Sequence, residues 1–373
     1  MKFLRKKIFI SSIDIRLFDR SLFVITIILI IIGLTFLCSS SSAISISRYH
    51  NAYVIFLKQL IWTAIAFIIM IYFSIYNLEK LRKKIPYMMI LIILLLIITL
   101  FMPPIQNTRR WIPLKMINLQ TSEFAKIAIL LYLSHFIDKY YSKINNIKIL
   151  LKPAIVISII LILIAFEPDL GTPILILITS LTVFFISGIR ISHILMPVII
   201  ALPLLIIEIT RHPYRKDRIE AFLNPWLDPS GKSFQLVQSL AAIGSGWWFG
   251  KGPGNSIMKL RYLPETHTDF IFPIIAEETG FIGVVVIIIL FLLFFLRTLV
   301  ISKRASSLFL TTLAFSCGFM ITFQALFNIA MSAGLLPTKG LPLPFFSYGG
   351  SSIIANMIMV GFILNTSMRR KKI

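Results

Sequence analysis

Charged residues are scarce in this 373-residue chain, 14% of positions, where a soluble domain carries roughly a quarter. Such a chain could not cover its own surface in water, which excludes an ordinary soluble enzyme. Acidic residues are scarcer still, 15 Asp and Glu against 37 Lys and Arg. Cysteine is nearly absent. Cys38 and Cys317 both sit inside apolar stretches, which excludes a disulfide framework and a cysteine-based zinc site. No internal repeat is visible, so sequence symmetry gives an inverted-repeat transporter no support.

What is abundant is apolar sequence, 57% of the chain. Runs near twenty residues recur along its length, enough to cross a hydrocarbon core of about 30 Å. The first, Leu22 to Cys38, holds no charge. Its length and the spans that follow it closely mark a retained anchor rather than a cleaved signal peptide. About ten spans are predicted, over residues 21–43, 54–76, 86–102, 122–138, 151–167, 171–188, 191–210, 270–296, 307–334 and 350–367. The predicted fold is an all-α polytopic membrane protein, with residues 1–373 forming a single membrane domain.

Charge orients the spans. Lys2, Arg5, Lys6, Lys7, Arg16 and Arg20 fall on one side with Lys80, Arg82, Lys83 and Lys84. Lys139, Lys143, Lys148, Lys152, Arg190, Arg297, Lys303, Arg304 and Arg369 to Lys372 fall on that side too. The opposite short loops hold chiefly Arg48, Arg109, Arg110, Lys115 and Lys339. The positive-inside bias therefore puts both termini in the cytoplasm. It also explains most of the net charge of +22, which in a soluble protein would point to nucleic acid. No nucleic-acid partner is expected.

One long outer, periplasmic loop remains, residues 211–268, between spans seven and eight. It is broken by Pro213, Asn224-Pro225, Asp228-Pro229 and a series of glycines from Gly244 to Gly254. Phe234, Val237, Leu240 and Ala241 fall at helical spacing, with Gln235, Gln238 and Ser239 facing away. This predicts a short amphipathic helix on the membrane surface, with Trp247 and Trp248 at the interface. Arg211, Arg215, Lys216, Arg218, Lys232, Lys251, Lys259 and Arg261 outnumber Asp217, Glu220, Asp228 and Glu265. An anionic partner would explain a basic outer loop. Membrane lipid headgroups are one candidate, and a phosphate-bearing lipid substrate is the sharper one.

Ionisable groups in or beside apolar spans are costly and face a cavity or a partner. Glu123 and Lys126 share a helix face at the start of the fourth span, as a structural ion pair or as part of a site. Glu167-Pro-Asp169-Leu-Gly171-Thr172 forms an outer turn, where Asp169 either caps the next helix or meets substrate. Leu263-Pro-Glu265-Thr-His267-Thr-Asp269-Phe-Ile-Phe crowds three titratable side chains into five residues where the long loop enters a span. Asp269 is read there either as a helix cap or as a general base, at the outer membrane boundary, where partial desolvation strengthens a carboxylate as proton acceptor. Glu277 and Glu278 follow about two turns deeper. His267 reads as a packing or hydrogen-bonding residue, because nothing supplies two further ligands at zinc-like spacing. No metal site is expected.

Six stretches occur in one order: Arg110-Trp111-Ile112, Gln120-Thr-Ser-Glu123-Phe-Ala-Lys126, Pro168-Asp-Leu-Gly-Thr172, His267-Thr-Asp-Phe-Ile-Phe272, Ala276-Glu-Glu278 and Ser347-Tyr-Gly-Gly-Ser-Ser352. Together they resemble the SEDS family of peptidoglycan polymerases over nearly the whole chain. Asn224-Pro-Trp226 with Asp228-Pro229, Gly254-Asn-Ser256, Tyr262-Leu-Pro-Glu265 and Leu336-Pro-Thr-Lys-Gly-Leu341 look more like the division branch (FtsW) than the elongation branch (RodA). Gly340-Leu-Pro342-Leu-Pro344 is somewhat RodA-like. Departures from the family pattern are Thr121 for Pro, Glu167 for Gln, and Arg261 where the division branch often has an acid.

The resemblance implies an outward cavity that takes lipid II, a disaccharide-peptide on undecaprenyl pyrophosphate, with Asp269 catalytic. Substrate contacts are then expected from Arg110, Glu123, Lys126, Asp169, Arg218, Lys259, His267 and Glu277. A divalent cation could assist at the pyrophosphate, although no sequence feature demands one and no cofactor is certain. The implied partners are a class B penicillin-binding transpeptidase and other division proteins, and the implied place is the bacterial inner membrane at the septum. A lipid II flippase and a division scaffold are the rival functions. A flippase has no need of a lone carboxylate at the outer mouth, and a scaffold has no need of so many buried charges.

Overall fold

A helix in lipid satisfies its own backbone except at its ends, so the ends carry the local information. The computed structural model describes residues 14–104, 108–114, 117–199, 203, 213–260 and 266–369. Several residues read above lie outside them: Lys2, Arg5, Lys6, Lys7, Lys115, Arg211, Arg261, Glu265, Arg370, Lys371, Lys372, much of the seventh predicted span and the Tyr262–Glu265 motif. The Arg215 side chain does too.

The helices are α1 (Arg20–Tyr49), α2 (Val54–Ile75), α3 (Leu78–Leu100), α4 (Thr121–Tyr140), α5 (Ile147–Phe166), α6 (Gly171–Ile186), α7 (residues 191–199), α8 (Pro213–Leu223), α9 (Phe234–Ser245), α10 (Ile271–Lys303), α11 (Leu308–Ser332) and α12 (Gly350–Ser367). Among the described residues, seven helices are long and apolar enough to cross a membrane: α1, α2, α3, α5, α10, α11 and α12. α6 is apolar but has only 16 residues. α4 carries Glu123, Lys126, Asp138 and Lys139, charges that its surroundings must satisfy.

The two ends of the described chain meet at one end of the bundle. Asp14 N–H donates to the Met368 carbonyl (3.1 Å) and Asp19 N–H to Ser367 Oγ (3.2 Å). Buried Asp19 caps α1 and binds Arg297 of α10 at 2.8 Å. Four helices that begin at this end start on side-chain caps: Asp19, Asn77, Asn146 and Ser307 for α1, α3, α5 and α11. At the opposite end α2, α4, α10 and α12 begin with no side-chain cap. Their positive dipole ends face that end of the bundle. The core runs through α11 and α12, which are mostly buried, whereas the outer helices show apolar flanks.

The structure corrects the sequence reading at four places. The fold is not purely helical: Trp111–Leu114 (β1) and Ile117–Gln120 (β2) form an antiparallel hairpin with Trp111 opposite Gln120. Four-residue strands are too short for an alternating pattern to stand out. α3 starts at Leu78 rather than residue 86, because Asn77 caps it, Lys80, Lys83 and Lys84 are exposed in its first two turns, and Arg82 pairs with Asp138. α9 forms where expected but turns the other way. Leu236, Ser239 and Ala242 are buried, and Ser239 Oγ donates to the Ser332 carbonyl at 2.6 Å. α9 thus packs on α10 and α11, with Ala241 exposed. Finally, α10 runs to Lys303 and is broken at Gly280 (φ 66°).

Candidate functional site

The hairpin leads straight into α4, since Gln120 is both its last residue and the residue preceding that helix. Arg110, just before β1, is therefore held over the end of the bundle opposite the termini. Its Nη2 donates to the Pro168 carbonyl (2.6 Å) and its Nε to the Glu167 carbonyl (3.4 Å). The α5–α6 turn thus grips one side of the guanidinium.

That turn holds two buried carboxyl groups. Asp169 Oδ1 accepts from Gly171 N (2.9 Å) and Thr172 N (3.2 Å), and Oδ2 accepts from the Thr172 hydroxyl (2.8 Å). Asp169 is the cap of α6, and both of its oxygens are in use. Glu167 is fully buried, with Thr121 Oγ1 3.4 Å from its Oε1. Burial, reinforced by the neighbouring Asp169 carboxylate and opposed by Arg110, pushes its pKa up to about 9. The folded protein therefore keeps a proton on Glu167 across a range where the unfolded chain has lost it, from the ordinary carboxylate range up to about pH 9. Stability must fall as pH rises through that window. Glu167→Gln removes the proton linkage while keeping the shape. Its thermal unfolding midpoint should lie several degrees above wild type at pH 8 and close to it at pH 5. An equal difference at both values would refute the linkage.

Asp269 lies in the 266–270 turn that opens α10. Buried Asn328 of α11 donates through Nδ2 to the Asp269 carbonyl (2.8 Å) and to the Leu341 carbonyl (2.6 Å). Ser347 Oγ donates to the Thr268 carbonyl (2.5 Å), and Tyr348 N–H to the His267 carbonyl (2.8 Å). The 338–348 segment is thereby laced to the 267–269 turn. Gly340 completes the arrangement. A methyl group on its Cα would stand 2.9 Å from Asp269 Oδ2 and 3.5 Å from Arg110 Nη1. The carboxylate and the guanidinium therefore face the same glycine. Gly340→Ala should shift the Asp269 carboxyl and lower the turnover of any reaction it serves by about a hundredfold, as misplacement near 1 Å does. The unfolding midpoint should stay near wild type, and unchanged turnover would show the carboxylate is not held there.

The other expected residues divide into those near this point and those away from it. Arg218 of α8 donates to the Thr338 carbonyl (2.8 Å), so it reaches the same segment. The His267 ring packs beside Tyr348, 5.9 Å between centroids. Glu123 and Lys126 are sealed below the mouth, at 1% and 0% exposure. Lys126 Nζ lies 2.9 Å from Glu123 and 2.8 Å from Gln324 Oε1, while Gln324 Nε2 donates to the Pro342 carbonyl (2.8 Å). The pair supports the 338–344 segment from beneath.

Lys259 and Glu277 lie elsewhere. Glu277 takes Lys251 Nζ (2.6 Å), Ser256 Oγ and the N–H groups of Ile257 and Met258. Lys259 Nζ binds Ser39 Oγ (3.0 Å), the Gly254 carbonyl and Glu278 (3.4 Å). These charges fasten the 251–259 segment to α1 and α10. Lys216 and Lys232 are likewise paired, with Glu220 (3.6 Å) and Asp217 (2.6 Å). Four of the lysines expected to face an anionic partner thus face carboxylates of their own chain. Among the described residues no three His, Cys, Asp or Glu side chains converge to hold a metal ion.

Gln324 and Asn328 were not picked out from the sequence, and Gly340 was read only as part of a branch motif. The signal was available: a Gln and an Asn one turn apart inside an apolar span are expensive unless they serve a partner.

Residues 19–372 match the family model described as cell cycle protein, FtsW/RodA/SpoVE. A probable peptidoglycan glycosyltransferase FtsW of Buchnera aphidicola subsp. Baizongia pistaciae is 42% identical over 357 residues, 94% of this chain and 93% of that one. The protein of the same name from Pseudoalteromonas translucida is 37% identical over 95% of this chain and 91% of its own. Among solved structures, a chain from work on the structural coordination of polymerization and crosslinking by a peptidoglycan synthase complex superposes with a TM-score of 0.76. It is 26% identical and covers 94% of this chain and 97% of its own.

Proposed function

The chain belongs to the FtsW/RodA/SpoVE family of cell cycle proteins, and from that membership we propose that it is a peptidoglycan glycosyltransferase of the FtsW type whose reaction centre is the mouth around Asp269. One observation carries the placement: the Asp269 carboxylate and the Arg110 guanidinium meet at Gly340. They do so at the bundle end where α2, α4, α10 and α12 begin uncapped.

In this reading Asp269 removes the proton from a sugar hydroxyl of the acceptor lipid II. The oxygen attacks the anomeric carbon of the lipid-linked glycan and the bond to the pyrophosphate oxygen breaks, with inversion. Undecaprenyl pyrophosphate leaves. Arg110 and Arg218, with the positive helix ends, stabilise charge gathering on the leaving group. Glu123, Lys126, Gln324 and Asn328 hold the 338–344 segment and the Asp269 turn in register.

The topology that suits this chemistry is ten spans, α1 to α7 with α10 to α12, both termini in the cytoplasm and residues 211–268 outside as a loop of one membrane domain. The meeting of the described chain ends and the positive-inside bias support it. A class B penicillin-binding transpeptidase in the inner membrane at the septum is the partner that fits, because new strands need crosslinking. The test uses purified protein and lipid II in detergent, with and without that transpeptidase, and resolves glycan products by gel. Micelles have no leaflets, so a flippase has nothing to do there. Glycan chains are expected; none with the transpeptidase present would overturn the reading.

A further inference from the structure

The break in α10 has a partner. Residues 246–252 lie along it, and their backbone takes up the groups that the interrupted helix leaves open. Phe281 N–H donates to the Trp247 carbonyl (2.7 Å) and Ile282 N–H to the Trp248 carbonyl (3.2 Å). In return Lys251 N–H donates to the Glu277 carbonyl (2.9 Å) and Gly252 N–H to the Glu278 carbonyl (3.0 Å). The approach is so close that a side chain on Gly280 would run into the backbone of Gly250 and Trp248. On this rigid seat Trp247, Trp248 and Phe249 are 79%, 60% and 81% exposed. Three adjacent aromatic rings in water would be a costly surface.

Two helices mark what that level is. Below the break, residues 281–296, down to the Arg297 that binds Asp19, make about 24 Å of helix at 1.5 Å per residue, a little under the hydrocarbon thickness of about 30 Å. Its flank continues the aromatic patch downward through exposed Phe281, Ile282, Val286 and Ile289, with Trp248 edge-on to Phe281 at 5.2 Å. In α1, the uncharged apolar run from Leu22 to Cys38 gives way to four serines, Ser39 to Ser42. Ser39 Oγ donates to Glu278 Oε1 at 2.5 Å, so the serines begin at the height of the break. The unbroken apolar run of α1 ends at this level, residues 271–278 of α10 beyond it are buried, and the exposed rings sit there. Tryptophan favours that boundary, where its ring meets chains and its N–H meets water and headgroups.

We propose that Trp247-Trp248-Phe249 is a membrane-interface anchor, with the headgroup zone of the outer leaflet as its partner, seated on the break in α10. The anchor sets the height of the molecule in the bilayer. Asp269 then stands beyond the hydrocarbon edge by up to about 14 Å, the rise of residues 271–280, not at the edge as the sequence reading had it.

The test is tryptophan fluorescence of the full chain in phosphatidylethanolamine/phosphatidylglycerol vesicles carrying lipids brominated either near the headgroup or near the chain end. The double variant Trp247→Phe/Trp248→Phe keeps the aromatic bulk and removes the two fluorophores. Its spectrum, subtracted from wild type, isolates them from Trp62, Trp111 and Trp226. The expected difference signal is quenched at least about twofold more by the shallow bromines than by the deep ones and resists aqueous iodide. Quenching by iodide with neither lipid effective would overturn the proposal and mark the patch as water-facing or a protein-docking surface. Stronger quenching by the deep bromines would overturn it too.

Discussion

Asp269→Asn should lower lipid II polymerisation at least about a thousandfold, within the range that removal of a general base produces, while the protein folds and inserts as wild type does. The contrast between the two readouts follows from how the residue is held. The fixed part of Asp269 is its backbone, whose carbonyl Asn328 grips at 2.8 Å. Asn328 also grips the Leu341 carbonyl, so the turn and the 338–344 segment stay together whatever side chain residue 269 carries. The amide of asparagine fills the same space against Gly340 and beside Arg110. What it cannot do is take a proton from a sugar hydroxyl. Substrate binding should therefore survive and the chemical step should not. The measurement is the initial rate of glycan synthesis with the transpeptidase present, set beside the unfolding midpoint in the same detergent. Activity within tenfold of wild type would remove Asp269 from the mechanism. An inactive variant with a midpoint many degrees lower would leave it a structural residue only.

What the sequence made legible follows from physics that leaves a dense imprint. An apolar run near twenty residues has few other readings, so α2, α5, α11 and α12 fall within a few residues of where the runs place them, while α1 starts as expected and runs six residues further, to Tyr49. Asp269 drew attention in the sequence because a carboxylate beside an apolar span is conspicuous. What surrounds Asp269 did not, because Asn328 and Gly340 reach it from 59 and 71 positions further along the chain, and no local pattern encodes that approach. The hairpin was lost for a related reason. Its strands are four residues each, and its purpose, carrying Arg110 to the α5–α6 turn, appears only when residue 110 meets residue 168. Charges were the opposite case. Lys251, Lys259 and Glu277 were conspicuous as charges and yet pair within the chain, tying the 246–260 segment to α1 and α10, because a long connection between spans needs fastening as much as a substrate does.

Lys126→Met should destabilise the fold by about 3–5 kcal/mol, because it leaves the Glu123 carboxylate buried without its cation. The site leaves no room for water to take over: Lys126 is 0% exposed and Glu123 1%. The damage should also travel. Lys126 donates to Gln324 (2.8 Å), which in turn holds the Pro342 carbonyl (2.8 Å), two residues from the glycine that faces Asp269. A lower unfolding midpoint, by roughly 5–10 °C, and a lost polymerisation rate are both expected. The double variant Glu123→Gln/Lys126→Met separates the two effects. With both charges gone, most of the stability should return, since replacing a buried pair with neutral groups of similar size is close to neutral. The rate should remain low, because Gln324 still lacks its donor and the 342 segment its support. If the double variant is as unstable as the single one, Glu123 and Lys126 do not act as a charge pair. If it regains the full rate, the path from Lys126 through Gln324 to the Asp269 mouth carries nothing, and the pair serves stability alone.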